Sequence, residues 1–305
     1  MKLMPKMPLL FHPQSWGWVF LIALLNMLSC LPFMGRVCLG RWLGNGVAVI
    51  LPRRKNIVKA NIAYCFPELS SQEQMTLCRQ HFASLGAGVF EMGLAWRHRS
   101  GDAPIAPCVS EGLVHLKHAL ATGKGILLAS GHFAPPDLMG VYISQYVPYH
   151  AMVRPQKSRF LNAYAEKKRG YAQSVMYQNQ QLKACRLLKR GEHLVYFPDQ
   201  DYGIKHSVFA PFFGRPAATV LATEKMAKIA GAVILPVFLF RDKQIGGYRL
   251  VFMPMITPFP KKDAVASAAA VNAVIEEGIR RFPEQYLWGH RRFKSRPEGE
   301  MPLYC

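Results

Sequence analysis

Beyond residue 111 short apolar runs recur at intervals: "GILLAS" (125–130), "HAMVR" (150–154), "HLVYF" (193–197), "AVILPVFLF" (232–240) and "YRLVFM" (248–253). Each is rich in β-branched or aromatic residues, and stretches of helical spacing separate them. That alternation predicts an α/β fold with a sheet buried on both faces. Upstream the rhythm is helical. "NIVKANIAYCFPEL" (56–69) has helical spacing and stops at Pro67. "SSQEQMTLCRQHFASLGAGVFEMGLAW" (70–96) opens on a serine cap with Glu73 close behind, then runs long and amphipathic. No internal repeat or low-complexity linker interrupts the pattern, and 305 residues suffice for one large domain with a full core.

The N-terminus reads differently. "WGWVFLIALLNMLSCLPF" (16–33) carries no charge between His12 and Arg36. As one helix it would extend about 27 Å, close to the ~30 Å hydrocarbon core of a bilayer. Trp16 and Trp18 sit where an interfacial aromatic belt would lie. No small-x-small cleavage site ends the run, so an uncleaved anchor is expected over 1–40, with a buried core helix or an interfacial helix as the rival reading. Arg36, Arg41, Arg53, Arg54, Lys55 and Lys59 follow the run, against Lys2 and Lys6 before it. The positive-inside bias therefore predicts the larger part of the chain, 41–305, on the cytoplasmic side.

Charge sharpens this picture. The chain holds 38 basic and 18 acidic residues, a formal charge of +20, yet half of it is hydrophobic. Basic and apolar together point to an anionic membrane surface or acidic ligands, and no interleaving of basic and aromatic residues suggests nucleic acid. The seven cysteines are odd in number, scattered and free of any C-x-x-C pair. They read as reduced, packed thiols, with no disulfide framework, no metal site and no redox cofactor expected.

The chemistry concentrates at "GHFAPPD" (131–137), just past the first apolar run. His132 falls in a loop at a strand's carboxyl end, where open α/β sheets bind ligands. Pro135 and Pro136 suit the start of the next helix, which puts Asp137 in its first turn. Asp137 would then accept from one imidazole nitrogen and leave the other free to take a proton. A capping aspartate beside an unrelated histidine is the alternative. There is no G-x-S-x-G elbow and no cysteine near His132 in sequence, so a base acting on a substrate hydroxyl fits better than a protein nucleophile.

The His-x4-acid stretch, "VRPQKSRFLNAYAEKKRG" (153–170), "GEHLVYFPDQDYGIKHSVFAPFFGRPAATV" (191–220) and "QYLWGHRRFKSRPEGE" (285–300) resemble, in order and wording, the late acyltransferases of lipid A biosynthesis. The resemblance covers nearly the whole chain. It implies a single glycerolipid-acyltransferase-like domain with a mostly buried mixed sheet flanked by helices. It also implies transfer of a fatty acyl chain from acyl carrier protein to a hydroxyl on a hydroxyacyl chain of the lipid A precursor, at the inner membrane. His132 would be the general base and Asp137 its partner, although that branch usually has glutamate there. Arg154 and Arg169 match motif positions and would clamp a substrate phosphate. Asp199 and Asp201 would orient an arginine or assist acceptor binding, a loop-capping role being equally open. The basic residues Arg280, Arg281, Arg291, Arg292, Lys294 and Arg296 are candidates for attracting the acidic carrier protein or anionic lipid headgroups. A glycerolipid or aminolipid O-acyltransferase is the runner-up, and a non-catalytic, membrane-tethered basic module a remote third.

Overall fold

The computed structural model describes residues 13–98, 102, 105–133 and 136–304. It opens with helices α1 (Pro13–Leu28), α2 (Phe33–Ile50), α3 (Pro52–Cys65) and α4 (Ser71–Arg97). Then follow β1 (Cys108–Glu111), α5 (Leu113–Ala121), β2 (Ile126–Ala129), α6 (Pro136–Ile143), β3 (His150–Val153), α7 (Arg159–Lys168), β4 (Ser174–Tyr177), α8 (Gln181–Lys189) and β5 (His193–Tyr196). The chain continues through β6 (Ser207–Phe212), β7 (Arg215–Val220), α9 (Ala222–Ala230), β8 (Val233–Asp242), β9 (Gly247–Phe252) and α10 (Ala264–Arg281).

Seven of these strands form one mixed sheet in the order β1-β9-β8-β2-β5-β3-β4. Strands β2, β3, β4, β5 and β8 run parallel, whereas β9 pairs antiparallel with β8 and parallel with β1. Helices cover both faces, so alternate residues of one strand enter two different cores. Leu127 and Ala129 of β2 pack with Phe238 and Ile275, while Ile126 and Leu128 pack with Leu138 and Leu250. This explains the continuous apolar runs: a strand buried on both sides has no position for a polar residue. The order also sets β2, β5 and β3 side by side, so the loops leaving their carboxyl ends converge.

α4 begins as its cap chemistry dictates. Ser70 Oγ accepts from Glu73 N at 3.3 Å, and the Glu73 carboxylate accepts from Ser70 N at 2.8 Å. α3 ends at Cys65, just before Pro67. The strands β1 and β4 were not foreshadowed; they are four-residue sheet edges with polar members. Nor was the antiparallel hairpin β6–β7, whose strands contain facing prolines, Pro211 and Pro216. Its two-residue turn puts both Phe213 (φ 51°) and Gly214 (φ 68°) in the left-handed region, as the twist of a tight hairpin requires.

The expected membrane-spanning anchor is not found: among the described residues no helix is long and apolar enough to cross a bilayer. The apolar run is cut in two. α1 is 16 residues, about 24 Å at ~1.5 Å per residue. Its end is marked by Ser29 Oγ donating to the Asn26 carbonyl at 2.8 Å, and Pro32 caps the start of the next helix. The expected boundary at residues 40 and 41 lies inside α2. α2 crosses α4 at very close range, since a Cβ at Gly44 would lie 1.8 Å from the Phe82 carbonyl oxygen and one at Gly86 2.1 Å from that of Gly40. The opposite sides of α1 and α2 leave Trp16, Phe20, Met27, Trp42, Val49 and Ile50 exposed.

Candidate active site

β2 ends at Ala129 and delivers His132 into the loop beyond the sheet. Two hydrogen bonds to one carboxylate fix it there. The His132 backbone N–H donates to Asp199 Oδ2 at 2.7 Å, and ring atom Nδ1 lies 2.5 Å from Asp199 Oδ1. An ionised carboxylate only accepts, so Nδ1 carries the proton and Nε2 keeps its lone pair. Asp199 is 1% exposed. Burial pushes its carboxyl up, but its electrostatic interaction with His132, the two hydrogen bonds and Arg292 outweigh that and hold it below the usual carboxylate range. The loop is also clasped from the far end of the chain. Leu287 N donates to the His132 carbonyl at 2.9 Å, Phe133 forms an antiparallel bridge with Tyr286, and Phe197 packs on the imidazole at 4.9 Å.

The expected His132–Asp137 hydrogen bond does not form. α6 starts at Pro136 and Asp137 lies in its first turn, as the prolines suggested; Pro135 lies outside the described residues. The Asp137 carboxylate faces a different set of donors. Arg169 Nε donates to Oδ1 at 2.7 Å and Nη2 to Oδ2 at 3.3 Å, with Tyr171 Oη (3.0 Å) and Trp96 Nε1 (3.3 Å) completing the shell. A guanidinium fork brings a full charge and two aligned donors where the imidazole offers one, and Asp199 already occupies Nδ1 from the neighbouring strand. The same pairing engages Arg169, so its fork is not open to clamp a phosphate. Tyr149 Oη, buried beside Asp137 and Arg169, has no hydrogen-bond partner among the described residues, and burial followed by the Asp137 charge pushes its pKa well up.

His132 and Asp137 nonetheless line one cavity of about 260 Å³. Arg169 and Arg154 line it too, and Arg154 is exposed and makes no hydrogen bond or ion pair among the described residues. Tyr202 extends the polar wall, its hydroxyl accepting from Gln178 at 2.7 Å. The two acids of "FPDQDYG" part company. Asp199 orients the histidine, whereas Asp201 is buried away from the cavity and ties loops together, accepting from Gly203 N (2.8 Å), Ser295 N (2.6 Å) and Ser295 Oγ (3.0 Å). Asp201 thus takes the loop-capping role left open for both acids, and Asp199 pairs with an imidazole, a partner not among those considered.

Sequence reasoning missed Trp96, Tyr171 and His290. Trp96 sits in an amphipathic helix whose spacing explains it as core, and Tyr171 follows the basic run "EKKRG" in a turn that gives it no signal of its own. His290 accepts from Asp201 N at 3.1 Å, close to the His132–Asp199 pair, and only its place in the "WGHRR" stretch set it apart.

A family model, bacterial lipid A biosynthesis acyltransferase, matches residues 3–295. The chain belongs to that family. Relatives of this lipid A acyltransferase include the lipid A biosynthesis lauroyltransferase of Escherichia coli (strain K12), 36% identical over 299 residues with 97% of each chain covered. The lipid A biosynthesis palmitoleoyltransferase of the same strain is 35% identical over 296 residues, covering 96% of each. Among solved structures, the 1-acyl-sn-glycerophosphate (LPA) acyltransferase PlsC from Thermotoga maritima aligns with TM-score 0.40 and 12% identity over 81% of this chain and 97% of that one.

The basic C-terminal segment of this acyltransferase is only partly free. Arg292 is 3% exposed, donating to the Ala218 carbonyl at 2.5 Å and to Thr219 Oγ1 at 2.8 Å, and it lies over the Phe212 ring. Arg281 pairs with Glu111, Arg296 with Glu300, and Arg280 stacks on Phe213. Arg291 and Lys294 stay exposed.

Proposed function

We propose that this enzyme transfers a fatty acyl chain from acyl carrier protein to a hydroxyl on a hydroxyacyl chain of a lipid A precursor, with His132 as general base. Membership of the family supports the reaction class, and the observation that carries the residue assignment is the His132–Asp199 pair at the edge of a cavity. In the step, Nε2 of His132 takes the proton of the acceptor hydroxyl while its oxygen attacks the thioester carbonyl. The C–O bond forms and the C–S bond breaks. The thiolate leaves with the proton returned by the imidazolium, which Asp199 stabilises. Arg154, free at the cavity wall, is the cation available to an acidic acceptor. Asp137 shares the cavity wall with Arg169 and Tyr171 and holds both in place.

The exposed apolar residues of α1 and α2 would lie in the headgroup region of the cytoplasmic face of the inner membrane, seating the cavity at the lipid surface without a spanning helix. The test is mass spectrometry of lipid A from cells lacking or carrying the gene. Carrying it should add the mass of one fatty acyl chain, and His132→Ala should remove that addition while the protein stays folded. A His132→Ala enzyme that still acylates at the parental rate would refute the base assignment.

A further inference from the structure

A second, larger concavity of about 960 Å³ lies between α2, α4, the carboxyl end of β8 and the last turn of α10. It opens on the edge of the sheet that holds His132, since β8 runs parallel to β2, yet no residue lines both cavities. The cations of its floor are paired, and the carboxylate of Glu284, which accepts from Gln285 Nε2 at 3.3 Å, lines it as well. Arg241 is buried and doubly bonded to Glu91, at 2.6 and 2.5 Å, and Arg249 and Arg281 share Glu111. The cations of its rim are not. Arg41 from α2, Arg79 from α4 and Lys243 from the β8–β9 turn are exposed, and among the described residues none of their side chains makes a hydrogen bond or ion pair. Three unpaired cations from three separate elements around one groove repel one another, and a multiply charged anion between them removes that repulsion.

The same groove has an apolar wall of Met34, Val37 and Phe282. That wall continues outward along α2, because Trp42 stands one turn beyond the groove residue Cys38 and Val49 one turn beyond Asn45, both 77% exposed. A free anion would gain nothing from this surface, and the volume far exceeds one phosphate group. We propose that the groove binds the phosphate headgroup of an anionic membrane lipid, with Arg41, Arg79 and Lys243 around the phosphate and the acyl chains against the apolar edge of α2. The site is separate from catalysis at His132 and stands or falls without it.

The test is calorimetric titration of the full chain, in nonionic detergent, with dihexanoyl phosphatidic acid, dihexanoyl phosphatidylcholine and inorganic phosphate. Phosphatidic acid should bind saturably at one per chain and more tightly than the other two. The triple variant Arg41→Gln, Arg79→Gln, Lys243→Gln should weaken it about tenfold or more, given the strength of charge-assisted contacts. A control triple on α8, Lys183→Gln, Arg186→Gln, Lys189→Gln, removes as much charge and should leave binding intact. Equal weakening by both triples would reduce the effect to diffuse charge and overturn the site. Phosphate binding as tightly as phosphatidic acid would overturn the lipid assignment, and phosphatidylcholine doing so would overturn the role of the cations. Should circular dichroism show the first triple misfolded, Lys243→Gln alone, in an exposed turn, must still weaken phosphatidic acid binding measurably or the proposal fails.

Discussion

At the residue scale, Asp137 on the cavity wall and Asp199 buried behind His132 have different duties. Asp199 fixes the tautomer of His132, so Asp199→Asn, which presents an amide N–H to Nδ1, should favour the proton on Nε2 and disable the base. A fall in kcat of about 10²–10⁴ is expected, with KM for the acceptor little changed. Steady-state kinetics on purified enzyme check this. Asp137→Asn acts on the wall. It leaves Arg169, 13% exposed, without its counter-charge, and losing one partner of such a buried pair costs about 3–5 kcal/mol. The melting temperature should drop markedly, and Asp137→Glu, which keeps the charge, should recover most of the loss. Equal stability of Asp137→Asn and the parent would mean that the Arg169 fork is not formed in solution.

At the scale of elements, close backbone approach and turn geometry give the sharpest expectations. Gly44→Val should separate α2 from α4, because no side chain can retreat from a carbonyl oxygen within a helix. A loss of several degrees in melting temperature and faster proteolysis within residues 13–50 should follow. Gly214→Ala meets no atom within 4 Å, so it should cost only the backbone term of about 1–2 kcal/mol. The elements legible in the sequence were those whose burial leaves one reading. β2, β3, β5, β8 and β9 showed as apolar runs, and α4 through its capping box. β1 and β4 at the edges and the proline-bearing hairpin lack such a signal. The apolar run at 16–33 looked continuous because hydropathy does not register where a helix stops, although Pro32 was there to mark it. His132 was legible from its place after a strand. Its partner was not, because Asp199 lies 67 positions away and reaches it only through the pairing of β2 with β5. Local spacing favours the nearest acid, and tertiary structure chose another.

At the scale of the molecule, charge and protonation govern behaviour. His81 and His290 are both pushed down to about 4 by burial. Among the described residues neither ring nitrogen of His81 has a partner in good hydrogen-bond geometry, although the backbone of Glu284 and Tyr286 lies close enough to moderate the shift. Their folded values lie below the unfolded one, so the unfolded chain takes up protons first as pH falls. Stability should be complete above about pH 6.5, decline between there and about 4 by on the order of 1–3 kcal/mol per histidine, then level off for these groups. The depressed carboxyl of Asp199 adds a further loss at still lower pH. Melting curves across pH 4.5–7.5 check this, and His81→Leu should flatten the profile. The formal charge of +20 should attract an acidic acyl carrier protein over distance, so its apparent KM should rise with ionic strength. A KM that ignores added salt would count against such steering.

The clasp on the His132 loop carries a consequence for how the enzyme comes into being. Leu287 and Tyr286 grip the loop from behind, and Ser295 and His290 fasten the turn that bears Asp199. A ribosome therefore makes His132 and Asp199 before it makes the residues that hold them in register. A nascent chain stalled before residue 285 would carry both groups without the contacts that clasp them, so the proposed site should assemble only once translation has passed that point.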